Sequence, residues 1–125
     1  MAGKRIFIID DDAELCEELS ELLKSENYSV TFTSDTAHAK TYLDGKDFDV
    51  ILLDYKMPGM TGADLLKNRL VKKRNVLIFS GRPFVENILR QEGVMGQVIG
   101  VISKPIDFNA LLDRIKGAVS EEKNQ

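Results

Sequence analysis

The chain is poor in the residues that staple, coordinate or span. It has one cysteine, Cys16, and one histidine, His38, among 125 residues. A lone thiol cannot close an internal disulfide and fits a reducing, cytoplasmic setting. A lone imidazole has no second His or Cys at metal spacing, so His38 reads as a solvated helix residue. No apolar stretch approaches the roughly 20 residues of a membrane-spanning helix. The first apolar run is only Ile6 to Ile9, with acids directly after it. Neither a secretory signal nor membrane contact is expected. Basic excess is missing as well: net charge is −3 and the sequence pI is near 5.2. That balance argues against direct nucleic-acid contact. Repeats, low-complexity tracts and linkers are absent, so one domain over residues 1–125 is expected. A chain this small has little room for an enclosed substrate pocket. A site on an open edge, acting with another protein, suits it better.

What the chain does contain is a regular alternation. Apolar runs begin near Arg5, Tyr28, Phe48, Asn75 and Val98. Helical patterns separate and follow them, over about Ala13–Lys24, Ser34–Gly45, Gly62–Lys72, Pro83–Gly93 and Asp107–Val119. In the first helix, Leu15, Leu19, Leu22 and Leu23 share one face. Asp12, Ser34 or Asp35, and Asp107 stand where helix caps belong. Pro83 sits at the expected first turn of the fourth helix. The second run alternates Tyr28, Val30 and Phe32 with Ser29, Thr31 and Thr33, which marks an edge strand with one wet face. The third, Phe48 to Leu53, is apolar almost throughout and reads as central. Strict alternation predicts an α/β fold: a doubly wound, five-stranded parallel sheet, flavodoxin-like, order 2-1-3-4-5, with helices on both faces. Gly93, Gly96 and Gly100 make the segment before Lys104 the least regular, so the fourth helix and its following loop are expected to be irregular or mobile. Ser120 to Gln125 reads as a fraying polar tail.

The strand tips carry the chemistry. The first strand stops at Asp10-Asp11-Asp12, the third at Asp54, the fourth at Ser80, and the fifth runs through Ser103 into Lys104-Pro105. Parallel strands share their C-terminal edge, and ligands bind there. Carboxylates, a hydroxyl and an ammonium therefore converge. Magnesium prefers one or two carboxylates plus waters. A carboxylate is also a nucleophile that can take a phosphoryl group as an acyl phosphate. Such transfer rests on positioning and charge neutralisation. Lys104 can supply fixed positive charge, Ser80 one hydrogen bond, and the amides of Tyr55 and Lys56 others. Lys104-Pro105 can be cis, which would aim Lys104 back at the site. Other residues have plainer readings. Asp12 is a cap, Cys16 a small core residue, Met57 and Met60 packing under the loop, and Lys72-Lys73-Arg74 a solvated helix end.

With these residues placed, the chain resembles a response-regulator receiver domain of two-component signalling, over nearly its whole length. The run Ile8-Ile9-Asp10-Asp11-Asp12 resembles the acidic-pair motif, and DVILLDYKMPGMTG (Asp49 to Gly62) the phospho-acceptor motif. LIFSG (Leu77 to Gly81) resembles the hydroxyl motif and SKP (Ser103 to Pro105) the lysine motif. The resemblance implies Asp54 as the phosphorylated residue. It implies Mg2+ or Mn2+ held by Asp10, Asp11, Asp54 and the Lys56 carbonyl, with Asp11 a direct ligand. It implies Ser80 and Lys104 as the switch residues. Phosphoryl groups would come from a phosphohistidine on a histidine kinase or phosphotransfer protein. Output would reach a downstream effector protein or domain, through a face formed by the fourth helix, fifth strand and fifth helix. A phosphorylation-dependent dimer is a further expectation. No enzyme activity is expected beyond self-phosphotransfer and self-dephosphorylation.

The chain departs from the family's pattern in two respects, the residue at position 101 and the glycine-rich stretch from Gly93 to Val101, which does not match the family's helix-to-strand turn. Where many receivers have an aromatic three residues before the lysine, this chain has Val101. Phe84 is the candidate replacement. Lys56 and Arg82 flank the expected phosphoryl position and are candidate modulators of acyl-phosphate lifetime. Three alternatives compete. One is a receiver-like interaction module that is never phosphorylated, which Val101 favours. Another is a phosphohydrolase of the haloacid-dehalogenase type with Asp10 or Asp11 as nucleophile. It lacks the expected Thr or Val in Asp10-Asp11-Asp12-Ala13-Glu14, and has no room for a cap domain. The third is a flavin carrier, disfavoured because an acidic first loop repels phosphate.

Overall fold

The computed structural model describes residues 4–45, 47–57, 60–67 and 75–123. Its strands are β1 (Arg5–Ile9), β2 (Ser29–Thr33), β3 (Val50–Asp54), β4 (Asn75–Ser80) and β5 (Val98–Ser103). They form one parallel sheet in the order β2-β1-β3-β4-β5. The helices are α1 (Ala13–Ser25), α2 (Thr36–Gly45), α3 (Gly62–Leu66), α4 (Val85–Gln91) and α5 (Phe108–Lys123). This is the doubly wound, flavodoxin-like architecture that the alternation predicts, with β2 and β5 at the edges.

Period-two side chains divide the core between the two faces of the sheet. Phe7, Ile9, Ile51, Leu53, Val76 and Ile78 pack against α2, α3 and α4. Ile6, Ile8, Val50, Leu52, Leu77 and Phe79 pack against α1 and α5. Covered on both sides, β3 has all five residues buried, as a continuous apolar run in a parallel sheet should. Phe7 stacks on Phe48 at 4.6 Å between ring centroids and meets Tyr42 edge-on at 5.6 Å.

Caps set the helix starts. Asp12 accepts from the Leu15 amide at 3.1 Å, Asp35 from Ala37 at 2.8 Å, and Asp107 from Asn109 at 3.0 Å. Thr61 and Asp64 form a reciprocal capping box on α3. In α1 the buried stripe runs through Cys16, Leu19, Ser20 and Leu23. Leu22 falls off its edge and is 43% exposed, because the sheet meets α1 along the Cys16–Leu23 line rather than the leucine-rich one.

Two helix boundaries differ from the expectation. Helix α4 begins at Val85, not at Pro83. The Ser80 hydroxyl accepts from the Arg82 amide at 3.0 Å, which bends residues 80–82 into a turn before the helix can start. Helix α5 runs on to Lys123, so Ser120 to Lys123 are helical rather than a frayed tail; Glu121, Glu122 and Lys123 are good helix formers. Of the helix predicted to reach Lys72, Gly62–Leu66 is seen, and residues 68–74 lie outside the described residues. The reading of Lys72-Lys73-Arg74 and the Pro58-Gly59 turn lie outside them too. The expected irregularity before Lys104 takes a definite form. A 3-10 turn spans Met95–Gln97, Gly93 has φ +75, and the β4–β5 register shifts between Val76 and Leu77.

Burial decides which leucines matter. Leu52→Ala removes a fully buried side chain and is expected to lower the unfolding free energy by about 2–5 kcal/mol. Leu22→Ala is expected to cost less than about 1 kcal/mol. Urea unfolding midpoints of the two variants check the ranking.

Candidate functional site

Asp10 and Asp54 end up side by side because β1 and β3 pair directly, with Ile9 opposite Leu53. That is where the chain's winding reverses, the natural crevice of an open α/β sheet. Asp10 is fully buried, Asp54 and Ser80 nearly so, and Asp11 is exposed. One oxygen from each of Asp10, Asp11 and Asp54 lies within 4.8 Å of the others. Lys104 reaches in from the tip of β5. Its Nζ is 2.9 Å from Asp10 Oδ2 and 3.3 Å from Asp54 Oδ1. The Lys104-Pro105 peptide is cis.

The loop after Asp54 is held tightly. Lys56–Met57 pairs antiparallel with Met60–Thr61, and the Gly62 amide donates to the Tyr55 carbonyl. A Cβ at Gly62 would stand 3.1 Å from Tyr55 Cα and 3.3 Å from the Asp54 carbonyl oxygen. A side chain there would make these backbone neighbours give way by a few tenths of an ångström, so glycine eases the close approach of α3 to Asp54. Tyr55 donates its amide to the Phe79 carbonyl at 2.9 Å, so that amide is not available to a ligand, contrary to the expectation. Met57 is buried and Met60 half-buried against the core, as expected.

Charge crowding shapes the titration. Burial, then the neighbouring Asp10 charge, pushes the Asp54 carboxyl up to about 7, although Lys104 pulls the other way. Burial alone would lower the Lys104 ammonium. Its contacts with Asp10 and Asp54 outweigh burial and hold it above its ordinary value. Asp10 Oδ1 accepts from the Asp12 amide at 3.0 Å. Asp10 Oδ2 is buried and faces the Lys104 ammonium at 2.9 Å. Three clustered carboxylates, only partly neutralised by one ammonium, fit a hard divalent cation. Asp10, Asp11 and Asp54 would hold it.

The structure brings Asp10, Asp11, Asp54 and Lys104 together and sets Ser80 on the adjacent strand tip. Ser80 uses a lone pair on Arg82, which leaves its hydroxyl proton for another acceptor. Lys56 and Arg82 are exposed beside the site. Phe84 is 77% exposed and, at φ +60, occupies the left-handed region. Val101 is half-buried against the core on the α2–α4 face. His38 is solvent-exposed near Asp35. One contact had no sequence signal beyond helical spacing. The buried Cys16 thiol donates to the Asp10 carbonyl at 3.3 Å, and burial, with the Asp10 charge, pushes that thiol up to about 12. It is an inert packing group.

Together these features define a doubly wound domain with an acidic, lysine-bearing site at its switch point. Residues 6–116 match the family model described as response regulator receiver domain, and the chain belongs to that family. It is 34% identical over 123 residues to the cell cycle response regulator CtrA of Brucella ovis, covering 95% of this chain and 51% of that protein. The chain thus spans about half the length of the curated relatives it matches. Among solved structures, a CheY-like receiver domain protein from Methanospirillum hungatei aligns with TM-score 0.85 at 26% identity, covering 98% of this chain and 99% of the other. The chemotaxis response regulator CheY4 of Vibrio cholerae aligns with TM-score 0.80 at 25% identity, covering 93% and 98%. Receiver domains bind Mg2+ at an acidic pocket and interact with kinases and effectors. No described helix is long and apolar enough to cross a membrane.

Two measurements probe the site. Mg2+ binding to the folded state alone raises stability in proportion to the logarithm of its concentration. The melting temperature is expected to climb with added Mg2+ in the parent and to stay flat in Asp11→Ala. A carboxyl whose folded pKa is raised stabilises the fold only while protonated. Asp54's contribution is complete below its unfolded value of 3.8 and is lost as pH rises through about 7. In metal-free buffer, Asp54→Asn should therefore raise the melting temperature most at about pH 8, with the gain shrinking toward about pH 4. A gain that is flat across this range would show that Asp54 is not perturbed.

Proposed function

We propose that this domain is a phosphorylation-controlled switch that accepts a phosphoryl group on Asp54. The observation that carries the reading is the convergence of Asp54, Asp10 and Lys104 within ion-pair distance. The donor is a phosphohistidine on a histidine kinase or phosphotransfer protein. An Asp54 carboxylate oxygen attacks phosphorus, the phosphorus–nitrogen bond breaks, and the imidazole leaves with its electron pair and takes a proton. Bound Mg2+ or Mn2+ supplies charge neutralisation for the carboxylates and the phosphoryl oxygens. Lys104 already sits between Asp10 and Asp54, so a short movement of its ammonium meets a phosphoryl oxygen. Ser80 offers its free hydroxyl proton to another. Both groups interact more strongly with the phosphorylated state, so phosphorylation shifts the loop equilibrium toward the arrangement in which they are engaged.

With position 101 occupied by valine, the readout of that shift passes through the loop after β4, where Phe84 is exposed. Lys56 and Arg82, both cationic and solvated, govern water access to the acyl phosphate. Effector binding, through α4, β5 and α5, and a phosphorylation-dependent dimer belong to the same proposal. The domain acts only on itself and is not a turnover enzyme.

The test is a mass measurement. Incubation with Mg2+ and a small acyl-phosphate donor should add one phosphoryl group to the parent and none to Asp54→Ala. Lys104→Ala should slow the addition on the order of tenfold or more, near the low end for a lost charge-stabilising donor because Lys104 is partly solvated. A phosphoryl group found on Asp10, or on no residue, overturns the reading.

A further inference from the structure

The register of β5 is unusual. Strands β4 and β5 pair Val76 with Val98 and then Leu77 with Gly100, which leaves Ile99 as an extra, bulged residue. Past the bulge the pairing is regular, ending at Ser80 with Ser103, and the Lys104 amide donates to the Ser80 carbonyl at 2.9 Å. The bulge therefore decides where Lys104 falls. Regular pairing from Val76 onward would set Ser80 against Ile102. Lys104 would then sit about 3.3 Å farther past the strand tip, with every later side chain on the opposite face.

Hydrophobic patterning does little to prevent that slip. Val98-Ile99-Gly100-Val101-Ile102 is apolar on both faces, and Gly100 has no side chain to misplace. A slip would exchange one set of half-buried or exposed aliphatic groups for another, at little cost in burial. Register is specified weakly in such a strand, so another contact must hold it.

Arg114, on α5, makes that contact. Its Nη2 lies 2.6 Å from the carbonyl oxygen of Ile99, the bulged residue itself. The guanidinium lies in the space a side chain at position 100 would fill: a Cβ at Gly100 would stand 1.8 Å from Nη2. Arg114 also borders an open cavity of about 240 Å³ with Ile99, Asp113, Gly117 and Ala118. Packing therefore leaves the side chain room to swing away, and the hydrogen bond to Ile99 is what holds it. A bulge leaves its extra residue without a ladder partner, and this cation supplies one.

We infer that Arg114 and Gly100 are positioning residues for the phosphoryl-accepting site, acting at a distance by locking the bulge that sets Lys104 in register with Asp54 and Asp10. The inference rests on the reading that Lys104 works at Asp54.

The experiment follows Asp54 phosphorylation by a small acyl phosphate in the full chain with Mg2+, alongside amide hydrogen exchange at Lys104. Arg114→Ala is expected to slow phosphorylation on the order of tenfold, toward the Lys104→Ala rate, since small misplacements of a working group are costly. Gly100→Ala, which displaces the guanidinium, should behave alike. Arg114→Lys should keep most of the rate, because an ammonium can donate to the same carbonyl. Deleting Ile99 from the Arg114→Ala chain should restore the rate. The bulge is then gone, while Val98 and Gly100 keep their partners. An Arg114→Ala protein that melts lower yet phosphorylates at the parent rate overturns the inference, as does failure of the deletion to restore. If the parent itself is never phosphorylated, the functional reading fails instead. The exchange data then decide the register question: faster exchange at Lys104 in Arg114→Ala upholds it, and unchanged exchange refutes it.

Discussion

Three clustered carboxylates, two of them paired to one ammonium, are the constraint on which this molecule depends. Asp10 and Asp54 are taken out of water at the switch point of the sheet, where two like charges oppose each other. Lys104 relieves part of that opposition, and the rest appears as a carboxyl at Asp54 held near neutrality. A site with this residual imbalance has a strong preference for a divalent cation and for any reaction that spreads the charge. Under the proposed phosphorylation of Asp54, Lys104 and Ser80 would be drawn from their resting partners toward the phosphoryl oxygens, and the same imbalance would then act as a switch.

The scaffold exists to hold those groups still. Its central strand is buried on both faces, and two separate aliphatic cores clamp the sheet. Rigidity runs right up to the site. Gly62 lets α3 close against the Asp54 backbone, and Tyr55 is tied to β4. Beyond Ser80 the construction loosens. Phe84 has left-handed geometry and no side-chain cap, α4 is short, and β5 needs an external hydrogen bond to keep its register. A stiff site with less constrained surroundings suits the proposed two-state switch.

Much of this is legible in the order of residues. Continuous apolar character marked β3 as central, period-two alternation marked β2 as an edge, and the Asp12, Asp35 and Asp107 caps stood where short polar side chains precede helical patterns. The strand tips predicted the site, because parallel strands carry their C-terminal residues to one edge. Other features could not be read. Leu22 looked equivalent to Leu19 until the sheet chose which line of α1 to cover. Pro83 looked like a helix start until the Ser80–Arg82 turn delayed it. The Tyr55 amide looked available until β4 took it.

By itself the sequence determined the alternation of elements, the doubly wound sheet and the identity of the acidic, hydroxyl and lysine groups, since these follow from local periodicity and from the residue at each strand end. Tertiary structure decided the rest. It put Lys104 nearer to Asp10 than to Asp54, placed the Cys16 thiol on the Asp10 carbonyl, and inserted a bulge at Ile99 secured by Arg114. The Lys104 and Arg114 contacts join residues far apart in the chain, and the Cys16 contact depends on how α1 is set against the tip of β1. Their distances are fixed only when the two cores close and the register of neighbouring strands is chosen, and no local pattern encodes that choice.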